Sequence, residues 1–189
     1  MTVVDLFPAP PTRTTAPARP RHRGSPPTVT LRELGPDETD VLDAVFAGLS
    51  PHSRYLRFHG ATPRMTRVVR RKLAAVDGRR HLAVAAFGPD GAPIGIARLI
   101  RLGSKDAELA IEVVDAWQGR GIGRRLLSAV AARGRAEGYT RVVAGVLTEH
   151  TGMRVLLASV LPILAVETAG HEVTLTADLR PAAPLAAVA

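Results

Sequence analysis

The stretch AELAIEVVDAWQGRGIGRRLL, residues 107–127, joins a strand-like pattern to a helix-like pattern through a glycine-rich turn. Its first part alternates apolar and acidic side chains, which predicts a β-strand at 107–114. Its last part places Ile122 and Leu126 on one face of a predicted helix at 121–137. The glycines of GRGIG let backbone N–H groups at the start of that helix contact an anion closely. The stretch therefore predicts a phosphate-binding loop between a strand and a helix.

Two other interpretations of the glycine loop remain open at this point. Alternating glycines are also typical of a turn that only tightens the junction between a strand and a helix. A dinucleotide-binding loop would need a third glycine of the GxGxxG pattern where Arg124 stands, which argues against a Rossmann fold. The segments around the loop decide between the remaining two interpretations.

Those segments predict a mainly antiparallel sheet. Upstream, the patterns predict a strand at 28–34, helices opening at 36–38, 51 and 66, and a hairpin of strands at 81–87 and 94–102. Downstream, they predict a strand at 141–147, a helix at 151–159 and a hairpin of strands at 163–167 and 171–178. Because a helix connects the strands at 107–114 and 141–147, we expect these two to be parallel. The sequence predicts an α+β fold with a mixed, mainly antiparallel seven-stranded sheet flanked by helices.

The chain divides by composition into three parts. Residues 1–27 hold seven of the 15 prolines, four arginines and one acid, which predicts a disordered arm. Residues 28–180 carry the periodic patterns of one folded domain, and 181–189 predict a flexible tail. The arm lacks the apolar run of a secretory signal, and the run at 155–166 is shorter than the roughly 20 residues of a membrane helix. We therefore expect a cytoplasmic protein without a membrane partner.

Composition also excludes several classes of function. The chain has no cysteine, which excludes disulfides, thiolate metal sites and cysteine nucleophiles. Its six histidines are scattered without a metal-ligand spacing, so we expect no metal, and there is no GxSxG motif. The net charge of +8 and a basic face at Arg67, Arg70 and Arg71 leave a nucleic-acid binder open. No aromatic stacking platform accompanies these arginines, so we do not expect nucleic acid as the partner.

With its flanks, the loop resembles the cofactor-binding motif of the GNAT N-acetyltransferase superfamily, which Gln118, Gly121 and Gly123 match in place. The resemblance extends over about residues 28–179 and implies acetyl-CoA as co-substrate. It implies a cleft between the two parallel strands, with the pyrophosphate on the loop and the pantetheine arm along the first strand. The implied contacts are Val113, Val114, Gln118, Gly119, Arg120, Gly121, Ile122, Gly123 and Arg124.

A narrower likeness covers LSPHSRYLRFHG at 49–60, RHLAVAAF and AELAIEV, which resemble bacterial protein lysine acetyltransferases of this superfamily. The likeness implies that Tyr55, Arg57 and Phe58 line the entrance for the acceptor, although helical spacing equally allows Tyr55 and Phe58 to be core residues. It also implies Glu108 as the base that deprotonates the acceptor amine. Glu112 lies on the same strand face and is the second candidate.

The sequence departs from the family pattern at three places. His150 stands where the family usually has a cofactor-contacting Asn, and Leu157 stands where many members have a tyrosine that protonates the departing thiolate. Leu161-Pro162 replaces the usual Gly-Phe. A histidine can still donate a hydrogen bond to the cofactor. We therefore expect an N-acetyltransferase that acts on a protein lysine, with a small-molecule amine acceptor or a weakened coenzyme A binding module as alternatives. A homodimer is left open.

Overall fold

The structure, a computed structural model, describes residues 28–180, so the predicted arm at 1–27 and the predicted tail at 181–189 lie outside the described residues. The strands are β1 (Thr30–Glu33), β2 (His81–Phe87), β3 (Pro93–Arg101), β4 (Asp106–Val113), β5 (Arg141–Leu147), β6 (Ile163–Ala169) and β7 (Glu172–Asp178). The helices are α1 (Thr39–Ala47), α2 (Pro51–Phe58), α3 (Arg67–Ala74), α4 (Ile122–Ala136) and α5 (Thr151–Ala158), with a 3-10 turn at Asp115–Trp117.

All seven strands form one sheet in the order β1-β2-β3-β4-β5-β7-β6. Every neighbouring pair is antiparallel except β4 and β5, which are parallel and are connected by α4. The predicted α+β fold, its seven strands and its single parallel pair are therefore confirmed. Most predicted bounds agree with the observed ones within one or two residues, and the helix predicted to open at 36–38 begins at Thr39. Asp37 has φ 64°, in the left-handed region, which is incompatible with a right-handed helical turn.

Two apolar clusters pack on opposite faces of the sheet. On one face, Leu126, Leu127 and Val130 of α4 are fully buried against the central strands. On the other face, Leu42 and Val45 of α1 belong to a smaller cluster with the middle of β2 and of β3. The helix α2 contributes no buried residue to either cluster. Its position over the sheet therefore depends on polar and partly exposed contacts.

The parallel pair β4 and β5 separates soon after it begins. The two strands are paired only at Asp106 with Arg141, Ala107 with Val142 and Glu108 with Val143. Beyond these pairs β4 remains bonded to β3 and β5 remains bonded to β7. The sheet is therefore open between the carboxyl-terminal halves of β4 and β5, and this opening is the start of the cleft described below.

Two features are not found within residues 28–180. No helix of this part of the chain is both long enough and apolar enough to cross a membrane. The same residues contain no group of three or more His, Asp or Glu side chains arranged to hold a metal ion.

Candidate active site

The opening between β4 and β5 leads into two adjoining cavities of about 320 and 330 Å³. The first cavity, called the loop half here, is bounded by the glycine loop, the end of β4 and the start of α5. The second, called the strand half, is bounded by the middle of β4, by β5 and by the end of α2. Residues lining both halves are Leu56, Arg57, Ile111, His150 and Met153. These shared residues mark the junction of the two halves.

Backbone geometry explains the glycines of the loop half. Gly119 has φ 70° and Gly121 has φ 79°, a region that residues with a Cβ rarely adopt. Gly121 precedes α4, and the first bond within that helix joins the Arg125 N–H to the Gly121 carbonyl at 3.1 Å. The N–H groups at 122–124 therefore have no acceptor within the helix. They lie beside the loop half, where the helix dipole favours an anion.

Most predicted contacts of the loop lie in this cavity, and two do not. The lining includes Val113, Gln118, Gly119, Gly121, Ile122, Gly123, Arg124 and His150. Val114 does not line it: the Val114 side chain packs against the smaller apolar cluster, its N–H donates to the Ile94 carbonyl and its carbonyl accepts from the Trp117 N–H. The Arg120 guanidinium also lies outside, over the Trp117 ring at 5.0 Å. Val114 and Arg120 are thus not among the described residues that line the cleft, and their contacts with the cofactor stay predictions.

Side-chain hydrogen bonds connect α2 to the loop half. The Gln118 amide nitrogen donates to the Val113 carbonyl at 3.0 Å and to the Ser53 hydroxyl at 3.3 Å. The Asp115 carboxylate accepts from the Ser50 N–H at 2.9 Å and from the Ser53 hydroxyl at 3.0 Å. The first turn of α2 is therefore held by residues of the β4 end and the loop, which explains how a helix without buried residues keeps its place.

The two predicted carboxylates of β4 have different surroundings. Glu108 is exposed, sits at the last position of β4 that pairs with β5, and lines the strand half. Glu112 is buried at 7% exposure, and its carboxylate accepts from Arg57 Nε at 2.6 Å and from Arg98. Burial alone would raise the pKa of Glu112, but the Arg98 and Arg57 guanidiniums hold it below its ordinary value. Both carboxylates therefore line the cleft, but Glu112 is buried in the loop half and paired with two arginines, whereas Glu108 is exposed in the strand half.

The pairing of Glu112 gives a prediction about stability. In Glu112→Gln the buried Arg98 guanidinium loses its counter-charge, so we expect the free energy of unfolding to fall by about 3–5 kcal/mol. Urea denaturation followed by circular dichroism measures this change. Glu167→Gln, on the exposed face of β6, is the control and is expected to stay within about 0.5 kcal/mol of the parent. Equal stability of the two variants would contradict the pairing.

His150 lies at the junction of the two halves, directly before α5. Burial lowers the pKa of His150, and the neighbouring His52 and His59 lower it further. The imidazole is therefore neutral at neutral pH and can donate one hydrogen bond and accept another. Its position is consistent with the predicted contact to a cofactor.

The departure at Leu157 has a clear structural consequence. Leu157 is fully buried in the core under α5 and does not line the cleft. The chain has two tyrosines, and neither of them lines either half. Tyr139 is buried, and its hydroxyl donates to the Arg79 carbonyl at 2.7 Å. Tyr55 is 39% exposed. No tyrosine hydroxyl is therefore available in the cleft walls formed by residues 28–180.

The strand half contains residues that the sequence patterns did not identify. Glu172 and His59 lie beside Gly145 of β5, and a Cβ at Gly145 would come within 2.6 Å of the Glu172 carboxylate. A glycine inside an otherwise apolar strand was the available signal, because it indicates a close approach. Phe58 lines this half and Tyr55 does not. Tyr55 is 39% exposed, so the alternative that both aromatics are core residues is wrong for Tyr55, whereas Phe58 is half-buried and packs against the buried Phe46 ring at 5.8 Å.

A glycine loop at the mouth of a cleft between two diverging parallel strands, on a mixed seven-stranded sheet, defines an N-acetyltransferase of the GNAT type. Residues 52–157, more than half of the chain, match the acetyltransferase (GNAT) family. The chain belongs to this family. The resemblance predicted from the loop motif is confirmed, and the bacterial relatives named below include two called Pat.

Relatives and similar structures agree with the assignment to this family. The acetyltransferase Pat of Mycolicibacterium smegmatis is 35% identical over 111 residues, which cover 57% of this chain and 33% of that protein. The chain thus matches about a third of that relative's length. The GNAT domain of S. lividans PAT has a TM-score of 0.72 at 26% identity, covering 78% of this chain and 89% of that one. A phosphinothricin acetyltransferase from Sinorhizobium meliloti in complex with AcCoA has a TM-score of 0.63 at 19% identity, over 80% and 87% of the two chains, and shares the fold.

Proposed function

We propose that this chain transfers the acetyl group of acetyl-CoA to the side-chain amine of a protein lysine, with Glu108 as the base. The observation that carries the proposal is the arrangement along the cleft. Free N–H groups of the glycine loop lie at one end, and the exposed carboxylate of Glu108 lies at the other, where β4 and β5 separate. A cofactor whose phosphate binds at the loop can therefore extend along the cleft towards Glu108, where the amine would lose its proton.

The loop half fits the coenzyme. The N–H groups at 122–124 and the left-handed glycines can hold the pyrophosphate oxygens. Val113 and His150 line the path from the loop to the junction, where the pantetheine arm would run. AcCoA in the S. meliloti acetyltransferase of the same fold supports this assignment. Bound acetyl-CoA brings the activated acetyl group, and the residues of the chain orient it.

The strand half fits a cationic acceptor. A lysine amine has a pKa of about 10.4, so it reaches the cleft protonated and must lose a proton before it can attack a thioester. Glu108 and Glu172 both line this half, and their negative charges attract the ammonium group. Glu108 can accept the proton because it is exposed to the cleft, whereas both oxygens of Glu112 accept hydrogen bonds from arginines. The geometry therefore favours Glu108 over Glu112 as the base.

The identity of the acceptor is supported by similarity. The chain is 35% identical over 111 residues to a protein named acetyltransferase Pat, and 26% identical to the GNAT domain of S. lividans PAT. The alternative of a weakened coenzyme A binding module is favoured by one observation, the lack of a tyrosine in the cleft lining among the described residues. A small-molecule amine is the third possibility, because the open strand half also admits small acceptors.

One experiment distinguishes these three activities. Release of coenzyme A from acetyl-CoA is measured with lysine peptides, with the same peptides after acetylation of their lysines, and with small primary amines at equal concentration. We expect turnover with the unmodified lysine peptides and little with the blocked ones. Faster turnover with the small amines would identify a small-molecule acetyltransferase. Tight binding of acetyl-CoA without turnover on any amine would identify a binding module.

The role of His150 gives a separate prediction. If the neutral imidazole donates a hydrogen bond to the cofactor, His150→Asn should keep or improve the affinity for acetyl-CoA, since an amide also donates. His150→Ala should weaken the affinity by about 3- to 10-fold, which corresponds to a lost hydrogen bond of about 0.5–1.5 kcal/mol. Isothermal titration calorimetry measures all three proteins. Equal affinities would show that His150 makes no contact with the cofactor.

A further inference from the structure

Arg57 is the only arginine that lines both halves of the cleft formed by residues 28–180. Its Nε donates to the Glu112 carboxylate at 2.6 Å, which fixes the guanidinium against β4. Its two terminal amino groups donate no hydrogen bond to any of the described residues. These groups are therefore available to a ligand at the junction.

The surrounding charges leave Arg57 positive. Glu112 is shared by two arginines, so the cluster of Arg57, Arg98 and Glu112 keeps one net positive charge. The Arg98 side chain is only 1% exposed, while the Arg57 side chain is 19% exposed and lies at the cleft. Arg57 is therefore the member of this cluster whose positive charge is exposed to the cleft. Arginine keeps its charge over the whole working pH range of proteins.

With coenzyme A entering from the loop half and the amine from the strand half, as the proposed function requires, the sulfur atom of the coenzyme lies at the junction. The thioester of acetyl-CoA extends into the junction from the loop half. The amine attacks its acyl carbon from the strand half. As the carbon–nitrogen bond forms, the carbon–sulfur bond breaks and the sulfur leaves with the electron pair as a thiolate. The first proton of the amine passes to Glu108, and the second, lost as the amide forms, can neutralise the thiolate. Until then the thiolate needs a positive neighbour.

We propose that Arg57 stabilises the departing thiolate of coenzyme A through charge-assisted hydrogen bonds from its terminal amino groups. The proposal rests on the proposed function, because it needs the coenzyme to extend from the loop to the junction. A guanidinium does not release its proton, so Arg57 acts through its charge and its hydrogen bonds. It supplies a stabilising group in a cleft whose lining, within residues 28–180, contains no tyrosine.

The other groups around the junction are less suited to this role. The other titratable and charged groups near the junction, among residues 28–180, are Arg98 from β3 behind Glu112, Glu112 and Glu108 from β4, His59 after α2, Glu172 from β7 and His150 before α5. His150 has a lowered pKa and is neutral, and the carboxylates would repel a thiolate. Arg124 is the other arginine in the lining, but it lies at the glycine loop, beside the expected pyrophosphate. Within residues 28–180, Arg57 is thus the one arginine that lines the cleft at the junction.

A binding experiment tests the proposal without any acceptor. The dissociation constants of coenzyme A and of acetyl-CoA are measured by calorimetry from pH 6.5 to 9.5, and acetyl-CoA serves as the reference because it has no thiol to ionise. A free thiol has a pKa of about 8.5, and a lowered pKa in the complex tightens binding as pH rises towards that value. For the parent protein we expect the affinity for coenzyme A, relative to that for acetyl-CoA, to increase about 10-fold from pH 6.5 to pH 9.5; this increase is called the pH-dependent gain. Arg57→Met should abolish this gain.

The control is Arg54→Met on the same helix. Arg54 packs over the Phe46 ring at 4.3 Å and donates to backbone carbonyls, and it does not line the cleft. This variant loosens α2 without changing the charge at the junction, so it should keep the pH-dependent gain. An equal gain in the parent and in Arg57→Met, or a loss of the gain in Arg54→Met as well, would overturn the proposal.

The same comparison separates this proposal from the proposed function. A pH-dependent gain that needs Arg57, together with no acetyl transfer to any amine, would refute the activity and keep the role of Arg57. Acetyl transfer to lysine peptides without the gain would refute the role of Arg57 alone. Absence of any coenzyme A binding by the parent protein would refute both. When transfer occurs, we expect Arg57→Met to lower kcat about 10²-fold or more with little change in the KM for acetyl-CoA.

Discussion

Glu108→Gln is expected to lower acetyl transfer to a lysine peptide by about 10²- to 10⁴-fold while acetyl-CoA still binds, since this is the usual contribution of a general base. Glutamine keeps the shape of the side chain and its hydrogen bonding but cannot take a proton from the amine. Raising the pH should partly restore the rate, because more of the amine, with a pKa of about 10.4, then arrives deprotonated. Initial rates between pH 7 and 10 measure both effects.

Two further variants complete this test. Glu167→Gln, exposed on β6 and outside the cleft, is the control and should transfer acetyl groups at the parent rate. Glu112→Gln examines the second candidate base from the sequence, and its rate is compared at a temperature where the variant is folded. Full activity of Glu108→Gln with loss in folded Glu112→Gln would move the base to Glu112. Full activity in both would mean that neither residue removes the proton.

Gly121→Asp is expected to weaken acetyl-CoA binding by at least about 100-fold, because a carboxylate beside the pyrophosphate costs several kcal/mol. The position has φ 79°, so any side chain also strains the loop. Gly121→Asn separates the two effects, because asparagine has the size of aspartate and tolerates this conformation equally well. The difference in affinity between the two variants, measured by calorimetry, isolates the charge.

Gly123→Asp extends the same prediction to the first turn of α4. A Cβ at Gly123 would meet the end of the flexible Leu156 side chain at 3.1 Å, so the domain should fold while the negative charge weakens binding. Circular dichroism and thermal unfolding verify the fold of each variant. If both aspartate variants bound acetyl-CoA as tightly as the parent, the phosphate would not lie on this loop.

The fold could be predicted from the sequence because local patterns and tertiary packing agree along most of the chain. The apolar runs at His81–Phe87 and Arg141–Leu147 give these strands their observed bounds. Ser50 and Pro51 begin α2 as their preferences indicate, with the Ser50 hydroxyl accepting from the Ser53 N–H. The limits of the domain at 28 and 180, and the cytoplasmic location, stay predictions.

The site could be predicted only where its residues are close in sequence. The glycine loop is one continuous segment, so its motif identified the loop half. Pairs such as Arg57 with Glu112 and Gly145 with Glu172 join distant segments, and their approach depends on how α2 and β7 pack. Strand alternation correctly placed Glu108 and Glu112 on one face, but it cannot tell which part of that face α2 covers. The burial of Glu112 and the role that we propose for Arg57 follow from that packing.

The affinity of a bisubstrate compound, in which the sulfur of coenzyme A is joined through an acetyl bridge to the lysine nitrogen of a peptide, tests the central claim most directly. If the coenzyme and a lysine side chain occupy the two halves of the same cleft, this compound should bind about 10²- to 10⁴-fold more tightly than coenzyme A alone. Binding no tighter than that of coenzyme A would contradict the claim that this cleft brings acetyl-CoA and a protein lysine together.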